Sequence, residues 1–275
     1  MIVSYTPLQR AQAHVEAGDL NEAVKALNES VETEPTDDAF RLRAAVLRRL
    51  RGEEHLRAAA LDLEKLSSPT STDYVEQSII FEQLGDFSAA IRAMMVATDL
   101  AGGPSERNRL VEQHVRLLLT RGDTDKALEL AQKQPRTWRW MQWMGDIAAQ
   151  ANDNPGAARY YSAAISLLTS ATERDDRFAD AFRARLLLAR ADAHRKSGQF
   201  EFADADYVTA EQLTPGDPMI PFYRGLIAWQ RGDHDEALRL VRDAMLSASD
   251  MVQDTMRRVL VDGEGFSRML DALDM

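Results

Sequence analysis

Apolar residues return at helical spacing along almost the whole chain, and no window alternates with period two. The pattern therefore predicts helices throughout and no sheet. It is sharpest between Gly198 and Ser249. Gly198 is followed by Ala203, Tyr207, Ala210 and Pro215; Gly232 is followed by Ala237, Val241, Ala244 and Ser249. The offsets are five, nine, twelve and seventeen in both halves, and the two glycines lie 34 residues apart. A unit of this period is a helical hairpin that buries its apolar side only by stacking on its neighbours.

The same offsets work backwards from Gly198. Gly18 gives Ala23, Leu27, Ser30 and Pro35, and Gly85 gives Ala90, Met94 and Ala97. Gly52 gives Arg57, Leu61, Glu64 and Pro69, a poorer copy at the same spacing. Gly122 gives Ala127 and Ala131 and stops early at Pro135; Asn152, in the place of glycine, gives Ala157, Tyr161 and Ala164. That makes seven units. Glycine, or asparagine as second choice, suits a turn through left-handed backbone at the end of the first helix. An acidic residue follows in six units: Asp19, Glu53, Asp86, Asp123, Asp153 and Asp233. It is placed to cap the second helix or sit in its first turn. A small residue seven before the turn (Ala11, Ala45, Ser78, Gly145, Ala191, Gly225) and the alanine five after it let two helices approach closely. The terminal proline stops the second helix.

These residues resemble tetratricopeptide repeats over roughly residues 4–249. The family's features present here are the small residue in the first helix, Gly-Asp at the turn, Ala and Tyr in the second helix, and the final Pro. The early tryptophan–leucine pair is mostly missing, and Arg190 and Arg224 stand where leucine is expected. The resemblance implies an all-α, right-handed superhelical solenoid of about seven hairpins. It also implies a concave groove, lined by the first helices, that receives segments of partner proteins. The lysine and asparagine pattern by which some members hold the C-terminal carboxylate of heat-shock chaperones is absent: Leu8, Gln12, Arg43, Thr72 and Glu76 occupy those positions.

The array is expected to span 1–249, irregular over 135–183, with capping helices in 250–275. The interval after Pro135 is short, so the second helix of the fourth unit should be truncated. The long interval before Gly198 carries about 12 residues beyond the usual 34. Two lengthened helices joined by the charged stretch Thr172–Asp176 are expected there. After Ser249, Met256, Val259 and Leu260 form one apolar stripe, and Phe266, Met269, Leu270 and Leu273 form another. A terminal hairpin that covers the end of the last repeat follows from the need to close a solenoid's core.

Composition narrows the function. The chain of 275 residues carries a formal charge of −11. That argues against duplex nucleic acid as a partner, since such binding needs clustered Lys and Arg. No segment approaches the ~20 apolar residues of a membrane span, and the start lacks the basic and apolar regions of a signal peptide. A cytoplasmic protein is expected. Cysteine is absent, which excludes thiolate chemistry and disulfides. The five histidines form no pair at metal spacing, and no phosphate-binding loop or nucleophile elbow is present. We expect no cofactor, no metal and no catalysis.

A surface remains. Residues thirteen, ten, six and three before each turn should face the groove. In the second unit these are Ala39, Leu42, Val46 and Arg49. Arg109, Arg116, Arg139, Arg185 and Arg195 cluster in the middle of the array, and Phe222 and Trp229 stand near its end. They suggest an acidic protein or peptide partner with apolar anchors, the arginines pairing its carboxylates. Alternatively Phe222 and Trp229 pack under the terminal helices and the arginines pair with acids of the chain itself. Trp138, Trp140 and Trp143 form a second cluster. Trp140 shares a face with Ile147 and should be packed; Trp143 could pack or form a secondary contact patch. Two rival functions are a regulatory or sensing subunit that binds a small peptide, and a scaffold that associates with itself.

Overall fold

A computed structural model describes residues 5–171, 177–263 and 265–273, apart from the side chains of 171, 177 and 178. Sixteen helices and no strand occur among the described residues. They fall into two compact units, 1–127 and 128–275. The first holds α1 (Pro7–Ala17), α2 (Leu20–Thr33), α3 (Asp37–Leu50), α4 (Glu53–Glu64), α5 (Ser71–Gln83), α6 (Phe87–Asp99) and α7 (Pro104–Arg121). Helix α8 (Thr124–Gln132) begins in the first unit and ends in the second. The second continues with α9 (Trp138–Gln150), α10 (Asn154–Ala171), α11 (Arg177–Lys196), α12 (Phe200–Leu213), α13 (Met219–Gln230), α14 (His234–Ser247), α15 (Asp250–Asp262) and α16 (Ser267–Ala272).

Within each unit successive helices pair as antiparallel hairpins, and each hairpin packs on the next. The local signals explain where helices start and stop. Thr6, Thr36, Thr70 and Thr137 cap α1, α3, α5 and α9, each accepting a hydrogen bond from the backbone N–H three residues on. Pro35 and Pro69 stand directly before two of these threonines; Pro35 follows the C-cap of α2 directly, whereas α4 has already ended at Glu64. Asn152 takes φ 61°, the left-handed geometry of the glycine it replaces. Capping by the following acid is uneven. Asp86 and Asp153 accept from Ala89 N and Gly156 N, at 2.9 Å each, while Asp19 and Asp233 make no side-chain cap.

The second hairpin departs from the expected register. Its chain turns one residue early: Arg51 has φ 60°, ahead of Gly52 at 87°. Counted from Arg51, the same offsets give Ala44, Leu56, Ala60 and Leu63, all buried. Counted from Gly52 they give Arg57, Leu61 and Glu64, all exposed, Leu61 by 55%. Ala39 and Val46, expected in the groove, are consequently in the core. Arg41 and Arg48 take the groove positions instead.

Elsewhere the small positions do what their size allows. A Cβ built on Gly145 of α9 would lie 2.5 Å from the ring of Tyr161 on α10. Arg190 and Arg224 keep their leucine-like positions through ion pairs with α12. Arg190 grips Asp206, 6% exposed, at 2.8 and 2.6 Å, and Arg224 reaches Asp204 at 2.8 Å. Helix α8 is shortened, with 9 residues, and α10 and α11 are lengthened, with 18 and 20; α7 also reaches 18. The charged loop expected over Thr172–Asp176 lies outside the described residues.

Helices α15 and α16 close the core of the last hairpin. Met256, Leu260, Phe266 and Met269 bury against Phe222, Leu226 and Val241 in one cluster. Among the described residues no helix is long and apolar enough to cross a membrane.

Candidate functional site on the first helices

In the first unit the face made by α3, α5 and α7 is crossed by ion pairs. Arg41 forks onto Asp73 with Nε–Oδ1 2.9 Å and Nη2–Oδ2 3.0 Å. Arg48 pairs with Glu76, and Arg116 forks onto Glu82 at 2.8 and 3.0 Å. Each link joins one first helix to the next. Hydrogen bonds from Arg116 hold the Glu82 carboxyl below its ordinary range. Burial works against the Asp73 carboxylate, but Arg41 and Thr70 outweigh it and also hold it low. Arg116 is therefore engaged from within, by an acid one repeat away. Arg109 is exposed and has no carboxylate partner among the described residues.

In the second unit the expected residues divide three ways. Arg195 is 7% exposed and serves the core. Its Nη2 donates to Asp192 Oδ1 at 2.6 Å and its Nη1 to Gln230 Oε1 at 3.3 Å. Its guanidinium lies 5.9 Å over the ring of Phe266. Phe222 is 0% exposed, inside the cluster sealed by α15 and α16. Trp229 is half-buried at the same seal: its Nε1 donates to Gly265 O at 3.2 Å and its ring lies 4.2 Å from that of His234. Of the two readings open for these three, contact with a partner or packing within the chain, the second holds. They meet the terminal helices, because the last hairpin's apolar side must be covered and the groove offsets of α13 fall on that side.

Arg139 and Arg185 remain exposed, with no carboxylate within ion-pair distance among the described residues. Arg139 lies 5.2 Å over the ring of Trp138. Trp138 in turn meets Phe182 of α11, ring centroids 5.2 Å apart. Arg185 follows Phe182 by three residues, close to one helical turn. Asp146 accepts from Tyr161 Oη at 2.7 Å. Burial raises its carboxyl above the ordinary range, against the opposing pull of Tyr161 and Arg185. Burial likewise works against Asp192, yet Arg195 and Lys196 keep that carboxyl low. Trp140 is 2% exposed, and Trp143 is half-buried. The contact of Trp138 with Phe182 was not foreseen. No local spacing signals it, because the two rings lie on different first helices, α9 and α11.

Tetratricopeptide repeat models match residues 113–172 and 188–250, and a second such model matches 8–37. Together they cover more than half of the chain, and the hairpins with their left-handed turns agree with them. The chain belongs to the tetratricopeptide repeat family. The tetratricopeptide repeat fold is typically a non-catalytic interaction scaffold. Among solved structures, the chain is similar to the C-terminal part of a TPR repeat-containing protein from Cytophaga hutchinsonii. That match has 15% identity and TM-score 0.56, covering 87% of this chain and 98% of that one. A tetratricopeptide repeat protein from Parabacteroides merdae matches at 15% identity and TM-score 0.50, over 92% and 95% of the two chains. MamA from Desulfovibrio magneticus, from residue 41 of its own chain, matches at 16% and 0.50 over 64% and 94%. At these identities the likeness concerns the fold alone. Comparison with curated proteins gives no match.

Proposed function

We propose that this repeat protein is a non-catalytic interaction scaffold. It holds an acidic segment of a partner protein against the first helices of its second unit. Arg139 and Arg185 pair the segment's carboxylates. The reading rests on one contrast. Arg116 and Arg195 are occupied by Glu82 and Asp192, whereas Arg139 and Arg185, on successive first helices, are exposed and unpaired among the described residues. A guanidinium held in no internal ion pair can offer its fork to an incoming carboxylate. Arg109 is available in the same sense in the first unit.

The test is capture from native lysate with the intact protein and with a variant carrying Arg139→Glu and Arg185→Glu, both verified as folded by circular dichroism. Loss of a partner from the variant, and weaker capture by the intact protein as salt rises, are expected. Retention of the same partners by the variant would overturn the reading.

A further inference from the structure

The ring pair beside Arg139 is the feature that the proposed function does not use. Phe182 is 37% exposed and Trp138 is half-buried, so two large aromatic side chains from successive first helices reach the surface at one place. Their centroids are 5.2 Å apart and their planes are tilted by 49°. Arg139 rests on the indole, and Arg185 stands close to one turn beyond the phenyl ring. Apolar area and cationic forks thus share one patch. Aromatic residues and arginine together are the composition that carries energy in interfaces. A guanidinium already held on a ring loses less freedom when it pairs.

We infer that the Trp138–Phe182 shelf receives an apolar, preferably aromatic, side chain of the acidic segment, so that the recognised motif is an apolar residue bracketed by carboxylates. This rests on the scaffold reading above and names its partner's chemistry. Charge complementarity selects the occupant. The chain carries −11, so an acidic segment is opposed by most of the surface and favoured where arginines form no internal ion pair. A purely acidic segment would leave the rings in water. An apolar side chain between its acids covers them and strengthens both pairings by excluding water.

The experiment uses the full chain and fluorescence anisotropy with three labelled peptides. One has six acidic residues around a single phenylalanine. The second has glycine in place of the phenylalanine. The third keeps the phenylalanine but carries amides in place of the acids. The first should bind about tenfold or more tighter than the second, as burial of part of a phenyl side chain implies, and the third should not bind measurably. Phe182→Ala and Phe182→Gln should each bring the first peptide down to the level of the second. Equal binding of the first two peptides to the native chain would overturn the shelf while leaving the acidic reading intact. So would a phenylalanine preference that persists in both Phe182 variants. Failure of both acidic peptides to bind, or tight binding of the amide peptide, would overturn the shelf and the acidic reading together.

Discussion

Removing the carboxylate of Asp206 tests how an arginine is tolerated where the repeat ordinarily has leucine. Asp206 is 6% exposed and the Arg190 side chain 23%. The pair shares two charge-assisted hydrogen bonds of 2.8 and 2.6 Å, and a third joins Arg190 Nη1 to Ser162 Oγ at 2.9 Å. Such bonds contribute about 1.5–3 kcal/mol each, but the desolvation of both ions offsets most of that. Against an apolar pair the net is therefore near zero. Taking away one partner is different, because the guanidinium keeps only Ser162 and a little solvent. Breaking a buried pair costs about 3–5 kcal/mol, and the residual exposure of Arg190 puts Asp206→Ala near the lower end. Replacing both residues by leucine should return stability to within about 1 kcal/mol of the native chain. Native-state hydrogen exchange of the α11 and α12 amides is the assay, since it reads local stability even where a repeat array does not melt as one unit. Urea melts followed by circular dichroism give the global companion value. A loss below about 1 kcal/mol for Asp206→Ala, or a double variant no more stable than the single, would refute the reasoning.

Three other outcomes are expected. Gly145→Ala drives a Cβ to 2.5 Å from the Tyr161 ring and should cost about 1–3 kcal/mol in a urea melt. Phe222→Ala should empty the core beneath the terminal helices and cost about 3–5 kcal/mol, with faster exchange of the α15 amides as the local sign. His114 is 9% exposed, and burial pushes its imidazole below the ordinary histidine value. The unfolded chain then takes up a proton first as pH falls. The stability is whole above about pH 6.5 and is lost progressively below it. His114→Leu should flatten that part of the stability curve between about pH 7 and 5.

The hairpins were readable because the restraints that make them are local and periodic. Glycine or asparagine at the turn, small residues where helices touch and the acid that follows the turn each act within a few positions. The shortened α8 and the lengthened α10 and α11 followed from counting alone. The site was less readable, because whether a groove arginine is free depends on acids a whole repeat away. Arg116 and Glu82 are 34 residues apart, and Arg41 and Asp73 are 32 apart. Helical spacing within one element cannot reveal such pairs. Phe222 and Trp229 show a related limit. Their offsets are those of groove residues, but at the last hairpin that side faces the closing helices. Periodicity assigns a face to a residue, and the neighbour that meets that face decides its use.

The early turn at Arg51 bears on how such a chain tolerates insertion and deletion. In a sheet, a slip of one residue would send every side chain to the wrong side along the rest of the strand. Here the displacement covers α3 and α4 and has ended by Gly85, which takes left-handed backbone at 76°. Each hairpin sets its own phase, so an indel at a turn is a local event. A graft or repeat swap in this region should accordingly be joined in phase with Arg51. A junction phased on Gly52 would place Arg57 and Glu64 in the core and send Leu56 and Leu63 to water, despite matching the consensus glycine.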